Sequence, residues 1–456
     1  MQTSSRMSKA KVALRAAIAV VIIVLLNVLV SYALTPSASK NAVVWEDYKK
    51  AENVDTLFLG SSLTYHAADP NTYDEITDSN TLTLASADQS PEESLQAIKT
   101  AIADHPIKRV VYGVSFSELR LATPANPGSV FMRSRANAVP IGETSSSILE
   151  ILFRYGGATG ANSINGIFPW IEAYAGPAPS GIAENIRQKQ SPGSVYEKTH
   201  AIEPVWEYRG KGYGAYSGVM NYDTEVGLYF SDTHDNDVDT PFDEVHMRAL
   251  ADLCDYCGEH GIELVVVSLP YPEFTIMAAG EGFYTQDDTV RQLVEAHGAS
   301  FYDFNLASDD LLVMQPEFFY DYAHLNGAGA QAFTAALAKV VQMKEADEDP
   351  TSLFLTPEEH VQSLSHAFSA VLADASVEGD SIAVTARAFA GNEVDVEYQL
   401  NMKPSGSDSW SYEGEWVDSN EFTMTPEQHC NYTIRVSARP ADRPDMVRYS
   451  EVEVYY

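Results

Sequence analysis

Cysteine is scarce in this chain, three in 456 residues. So sparse and odd a set excludes a disulfide framework. Two of the three, Cys254 and Cys257, are spaced as a C-x-x-C. In thioredoxin-like redox sites that motif opens a helix straight after a strand. Here it comes late in an apolar-periodic stretch that starts near Val245. Positions i and i+3 share a helix face, so both thiols are expected in a core. Basic residues are also few: 29 Lys and Arg stand against 64 Asp and Glu, a net charge of −35. A nucleic-acid partner needs Lys and Arg to displace phosphate counterions, so that class is excluded. The acidic excess is expected to serve solubility.

One long apolar run stands out. From Ala16 to Leu34 the chain has no charged residue and a single amide, Asn27. That length crosses the ~30 Å of a bilayer's hydrocarbon. Arg6, Lys9, Lys11 and Arg15 precede it, and no acidic residue occurs before Glu46. The positive-inside rule then puts the N-terminus in the cytoplasm and the remainder outside. The run exceeds the roughly 7–15 residues of a cleaved signal's apolar region, and Ser31-Tyr-Ala33 is a poor cleavage site. The expectation is an uncleaved, single-pass signal anchor: a basic cytoplasmic tail over 1–15, a transmembrane helix over 16–34 and a polar stalk over 35–50.

Beyond Glu46 strands alternate with helices. Val54–Leu59, Thr81–Ala85, Arg109–Ser115, Glu263–Leu269 and Ser300–Phe304 read as strands. Ser90–Ala103, Pro241–Glu259, Asp288–His297 and Gly327–Met343 read as helices, the first with Ser90 and Glu93 spaced as a capping box. This alternation predicts an α/β domain over 51–345 with a mostly parallel sheet covered on both faces. Residues 116–240 interrupt the scheme as an insertion beside the third strand, placed to form a substrate lid. Within it, Asp232 to Asp239 is rich in carboxylates. An EF-hand starting at Asp235 would need Gly and Glu where Thr240 and His246 stand, so a solvated acidic loop is expected. Residues 346–367 read as a linker. From about 368 to 456 alternation replaces helical periodicity, with turn residues between runs, and predicts an Ig- or fibronectin-like β-sandwich. Trp410 and Trp416 in it read as core aromatics, with a carbohydrate-stacking surface as the alternative.

Two short motifs carry chemistry. Ser62 follows an apolar strand and Gly60, at the sheet edge where open α/β proteins bind ligands. Gly60 permits a sharp turn, and the Ser62 N–H could serve an oxyanion. Asp321-Tyr-Ala-His324 lies near the end of the same unit. Such spacing lets the carboxylate fix Nδ1 of the imidazole and leaves Nε2 free to take a proton from Ser62.

These residues resemble the SGNH (GDSL-like) hydrolase superfamily from about Val54 to Val341. Leu57-Phe-Leu-Gly60-Ser61-Ser62-Leu63 stands where its first block does, as Gly-Ser-Ser rather than Gly-Asp-Ser. Asp321-Tyr-Ala-His324-Leu-Asn-Gly327 stands for its last block. The resemblance implies a three-layer, flavodoxin-like α/β/α sandwich with a five-stranded parallel sheet. It implies Ser62 as nucleophile, His324 as general base and Asp321 as its orienting acid, with neither metal nor cofactor. The second-block glycine has no match, and Ala85-Ser86-Ala87-Asp88-Gln89 occupies its place. The third-block asparagine is missing, with Gly113-Val-Ser115 in its stead. Ser86, Gln89 and Ser115 are therefore the candidate oxyanion or substrate groups. The Gly-Ser-Ser variant and the anchor resemble the cell-surface branches, the D-alanine transfer protein of teichoic acid modification and polysaccharide O-acetyltransferases. That implies ester hydrolysis or O-acyl transfer on an extracytoplasmic envelope polysaccharide or glycopolymer, with a membrane acyl-donor protein as partner.

Two rival functions fit the same sequence. One is a catalytically inactive protein of the same fold that binds or scaffolds envelope polymers during export or modification. The other is a metal-dependent phosphoesterase drawing on Asp232, His234, Asp235 and Asp237.

Overall fold

The computed structural model describes residues 9–34, 40–120, 135, 141–155, 181–201, 206–231 and 238–456. Much of the expected lid, together with Asp232, His234, Asp235 and Asp237, lies outside them. Helix α1 (Lys9–Leu34) is long and apolar enough to cross a membrane, and its apolar side chains are exposed. Helix α2 (Lys40–Tyr48) follows. The sequence makes residues 35–50 a stalk, but the chain has joined the fold by Lys40: Val43, Val44, Trp45 and Tyr48 are buried in the main core.

Five strands build the central sheet: β1 (Thr56–Gly60), β2 (Thr81–Thr83), β3 (Arg109–Val114), β6 (Glu263–Ser268) and β7 (Ser300–Asp303). They pair in parallel in the order β2-β1-β3-β6-β7. Alternate residues feed two separate cores. Leu57, Leu59, Val110 and Val266 enter one, and Phe58, Val111, Val265 and Val267 enter the other. Both faces are apolar because both are covered. The helices needed below are α3 (Ser62–Ala67), α4 (Pro70–Thr77), α5 (Pro91–Asp104), α6 (Phe116–Arg120), α7 (Tyr222–Ser231), α8 (Glu244–Glu259), α9 (Glu273–Ala279), α10 (Glu281–Ala296) and α11 (Gly327–Glu345). α5 and α8 pack on one face, α4 and α11 on the other. Ser90 and Glu93 do form the capping box of α5. Cys254 and Cys257 are buried in α8, and burial pushes both thiols up to about 12. They stay protonated and act as packing.

The insertion contributes one hairpin that alternation did not reveal, β4 (Trp206–Gly210) and β5 (Tyr213–Tyr216). Trp206 and Tyr213 are fully buried beneath it. Gly210, Lys211 and Gly212 turn at positive φ, and Lys211 accepts a hydrogen bond from the Thr83 amide, which ties the turn to β2.

Residues 346–367 are less a linker than a seam. Pro350–Leu353 and Pro357–Ser363 are helical, and Leu355 bonds back to Leu306. The C-terminal part has two antiparallel sheets. One is β11 (Tyr412–Glu413), β10 (Val396–Pro404), β13 (Asn431–Pro440) and β14 (Arg448–Tyr455). The other is β12 (Glu421–Met424), β9 (Ser381–Ala390) and β8 (Phe368–Glu378). They close over a shared core that includes Val371, Val384, Leu400 and Ile434. Phe389 leaves that core and packs on Phe230 of α7 and Phe274 of α9. Burying one phenyl ring stabilises by roughly 1.5–3 kcal/mol, so the two parts are held together. Trp410 and Trp416 are half-buried rather than core, and cations cover them. Lys403 and Arg435 sit 4.9 and 5.1 Å from the Trp410 ring centre, and Arg439 sits 4.0 Å from that of Trp416.

One buried pair sets a pH dependence. Asp303, at the end of β7, and Asp287 of α10 are both buried and in hydrogen-bond contact. Burial first, then Asp287, holds the Asp303 carboxyl well above its ordinary value, against hydrogen bonds from Asn305. A raised carboxyl pKa means the ionised form is penalised in the native state. Its destabilisation is absent below the unfolded value and complete above the folded one. Asp303→Asn keeps an acceptor for Asn305 and offers Asp287 a donor. Its melting temperature is expected to exceed wild type at pH 8, with the gap closing toward pH 4. A constant gap across that range rejects the account.

Candidate active site

Ser62 owes its position to glycine. Gly60 closes β1 at φ +133, and a Cβ there would lie 2.4 Å from both the Gly113 carbonyl oxygen and Thr64 Oγ1. Gly113 is its register partner on β3. The missing side chains let α3 fold back onto the strand ends, where Thr64 Oγ1 donates to the Gly113 carbonyl at 3.3 Å. Ser61 caps the helix by accepting from the Leu63 amide, and Ser62 is the first helical residue. With strand order β2-β1-β3-β6-β7, chain connections reverse direction between β1 and β3, which is where such sheets open a crevice. Ser62 after β1 and Ser115 after β3 flank it.

The second half comes from the loop between β7 and α11. Phe319 and Leu325 bridge as a tiny antiparallel pair, and the Tyr320 amide donates to the His324 carbonyl at 2.8 Å. Asn326 caps α11 and also donates to the Gly218 and Glu317 carbonyls, so both ends of the loop are fixed. Asp321 Oδ1 accepts from the amides of Ala323 and His324 at 2.9 and 2.8 Å. Its carboxylate faces His324 Nδ1 at 2.9 Å, and His324 Nε2 lies 2.8 Å from Ser62 Oγ. Burial alone would raise the Asp321 carboxyl. The hydrogen bond and charge of His324 and the two amides outweigh it, and the net shift is below 3.8. An ionised acceptor on Nδ1 puts the proton there and leaves Nε2 to accept from the Ser62 hydroxyl. His324 and Asp321 keep 22% and 26% of their side-chain surface exposed, enough for a substrate to reach them.

Ser62, Asp321 and His324 open onto a cavity of about 280 Å³. α6 and the residues before it form one wall, through Ser115, Glu118 and Arg120. α9 and α10 form another, through Thr275 and Gln286. Arg120 donates to Gln286 Oε1 at 2.7 Å, which joins the two walls. α7 contributes Tyr229, so the helices that meet the β-sandwich on one side line this cavity on the other.

The three candidate oxyanion groups separate. Ser115 lines the cavity, with its Oγ 2.9 Å from Ser117 Oγ. Ser86 does not line it, and its amide is taken by the Gly60 carbonyl at 3.2 Å. Gln89 is fully buried and turns its amide onto Ser94 in α5. Both follow a strand end in sequence, yet the chain bends them into the fold, leaving Asp88 between them at the cavity. Arg120, Thr275 and Gln286 carry no sequence signal, because no local pattern links residues so far apart. A larger cavity, about 460 Å³, lies between α10, β7 and residues 351–357 and holds none of Ser62, His324 or Asp321. Among the described residues no group of three or more His, Cys, Asp or Glu is placed to hold a metal ion.

No protein-family profile matches this chain, and no curated protein matches it in sequence. Among solved structures, a Bacteroides fragilis protein whose description as an acylhydrolase is itself an inference overlaps it at 8% identity. That overlap covers 66% of this chain and 93% of the other, with a TM-score of 0.28. An engineered protein overlaps at 12% identity over 92% and 98% of the two chains, with a TM-score of 0.15. A β-glucosidase from Erythrobacter marinus overlaps at 10% identity over 84% and 69%, with a TM-score of 0.14. At such scores none of these likenesses decides fold or chemistry, which rest on the geometry above.

Proposed function

We propose that this protein is a serine-dependent acyl-transfer enzyme of the SGNH type, acting by ester hydrolysis or O-acyl transfer. The observation that carries the reading is the Ser62–His324–Asp321 relay, joined at 2.8 and 2.9 Å and open to a cavity. In the first step Ser62 Oγ bonds to the acyl carbonyl carbon while its proton passes to His324 Nε2. The ester C–O bond then breaks, and the leaving alcohol takes that proton. In the second step water or an acceptor hydroxyl gives its proton to His324 Nε2 and attacks the acyl carbon; the acyl–Oγ bond breaks, and Ser62 Oγ takes that proton back from Nε2. The developing oxyanion is met by the Ser62 N–H, in a first helical turn that has no intrahelical acceptor. Ser115 Oγ, the one candidate hydroxyl lining the cavity, is the second donor. No step calls for a metal or a cofactor.

A glycopolymer of the cell envelope is the substrate class we infer. Helix α1 would hold the site beside the membrane, on the side opposite the basic residues that precede it. The test is covalent labelling of the full-length, detergent-solubilised protein with a fluorophosphonate probe. Wild type is expected to label, and Ser62→Ala and His324→Ala are expected not to. Folded wild type that stays unlabelled, or a labelled Ser62→Ala, would overturn the reading.

A further inference from the structure

One side chain beside the relay has no part in the chemistry above. His66 lies four residues after Ser62 in α3, so the two share a helix face. Its ring centre is 5.2 Å from that of His324, with the planes at 84°. It is buried, at 4% exposure, and its Nδ1 lies 3.3 Å from the Gly214 carbonyl of β5. Gly214 is itself seated flush on Trp206, where a Cβ would come within 2.0 Å of the indole nitrogen. Tyr65 meets the His66 ring edge-on at 4.8 Å, and Tyr216 stacks on it at 4.3 Å. Tyr216 also stacks on Tyr320 at 4.0 Å, one residue before Asp321. Lys40 of α2 donates to the Tyr216 hydroxyl at 2.5 Å. One tyrosine thus touches both the helix that carries the nucleophile and the loop that carries the base.

We propose that His66 is a positioning residue for the acyl-transfer reaction put forward above: its ring, clamped by Tyr216 and Gly214, braces His324 and keeps Nε2 on Ser62 Oγ. The proposal rests on that reading of the site. A hydrogen bond from Nδ1 to Asp321 is an axis and not a plane, and an imidazole held by it alone can still rotate. A second contact on the ring removes that freedom. His66 supplies the contact without charge. Burial first, then the charges of His324 and Lys40, hold it well below the ordinary imidazole value, with only the Gly214 carbonyl acting the other way. Among the described residues, Lys40 from α2, Tyr216 from β5, Tyr65 on its own helix and His324 from the loop are the titratable groups that face it, with Tyr320 behind Tyr216. A neutral ring does not oppose the imidazolium that forms when His324 takes the proton.

The experiment measures kcat, KM and the pH profile of p-nitrophenyl acetate hydrolysis by the full-length protein, with melting temperatures alongside. His66→Ala is expected to lower kcat by about 10- to 100-fold, the scale of an ångström-level misplacement. KM should stay within about threefold, because binding is not what is lost. His66→Phe, which restores a ring without a titrating nitrogen, is expected to recover most of that loss and to leave the acid limb in place. Tyr216→Leu, which loosens the clamp from the other side, should lower kcat in the same sense. It keeps the question answerable if His66→Ala does not fold. A folded His66→Ala or Tyr216→Leu at wild-type kcat, beside an inert Ser62→Ala, overturns this proposal alone. So does an acid limb that moves in His66→Phe, since His66 would then be exchanging the proton itself. Wild-type turnover in Ser62→Ala overturns the acyl-serine reading and this proposal with it.

Discussion

Alanine at His324 is expected to lower turnover of an activated acetyl ester by about 10⁶-fold, and adding Ser62→Ala should lower it no further. The magnitude is that of serine enzymes in which nucleophile and base act as a unit. The non-additivity is the sharper part. Ser62 Oγ lies 2.8 Å from Nε2, and a hydroxyl in that position is a useful nucleophile only while the imidazole takes its proton. Without the base the hydroxyl is a neutral alcohol facing the substrate. Without the hydroxyl the base has nothing to activate except water, held in a geometry built for a different oxygen. Each single variant therefore removes the same step. The measurement is initial rates of purified wild type, both single variants and the double variant, corrected for buffer hydrolysis. Rates that fall multiplicatively in the double variant would mean that the two groups act on separate steps. A His324→Ala rate within tenfold of wild type would mean that the short contact is structural.

Local pattern and tertiary contact divide what could be read from the amino-acid sequence. The five strands were visible as short β-rich runs, because a parallel sheet buried on both faces needs continuous apolar residues. Helix α5 was visible to its first residue, since Ser90, Pro91 and Glu93 are local chemistry. The helical pattern of α10 shows only from Asp288, seven residues after the helix begins. The helix opens at Glu281, directly after Gly280 at φ +56, and Gly282 in its first turn hides the start. Helix α2 went unseen because its nine residues follow a polar stretch and matter only through what they touch. The hairpin of Trp206 and Tyr213 has two strands of only four or five residues, broken by Gly210, Gly212 and Gly214, which leaves little periodicity. Ser62, Asp321 and His324 were legible because their spacing from a strand end and a helix start is itself the motif. Ser86 and Gln89 do not line the cavity, for the converse reason. Position after a strand says that a residue is near the sheet edge, but not that its polar atoms are still available. The bracing of His324 by His66, and the packing of Phe389 behind the cavity wall, join residues with no sequence relation at all.

Asp321→Asn is the second large effect, expected at about 10⁴-fold in kcat with the fold intact. The carboxylate only accepts hydrogen bonds, so it fixes the proton on Nδ1 and leaves Nε2 bare toward Ser62. An asparagine can keep its oxygen on the amides of Ala323 and His324, at 2.9 and 2.8 Å in the wild type, which are the donors that hold the loop. Its NH₂ then turns to the imidazole. A donor facing Nδ1 favours the other tautomer, with the proton on Nε2 and pointed at Ser62, where it cannot accept. The rate loss should therefore come without loss of the loop, and KM should change little. Stability supplies an independent check with a definite sign. Asp321 is held below 3.8 in the native state, burial notwithstanding. A depressed carboxyl contributes stability that is present above its unfolded value and lost as pH falls through the folded one. The melting temperature of wild type should exceed that of Asp321→Asn near neutrality, and the gap should close as the pH drops below about 3.8, the ordinary carboxyl value. A gap that widens on acidification would mean that the carboxyl is protonated in the native protein, and the relay as described here would not exist.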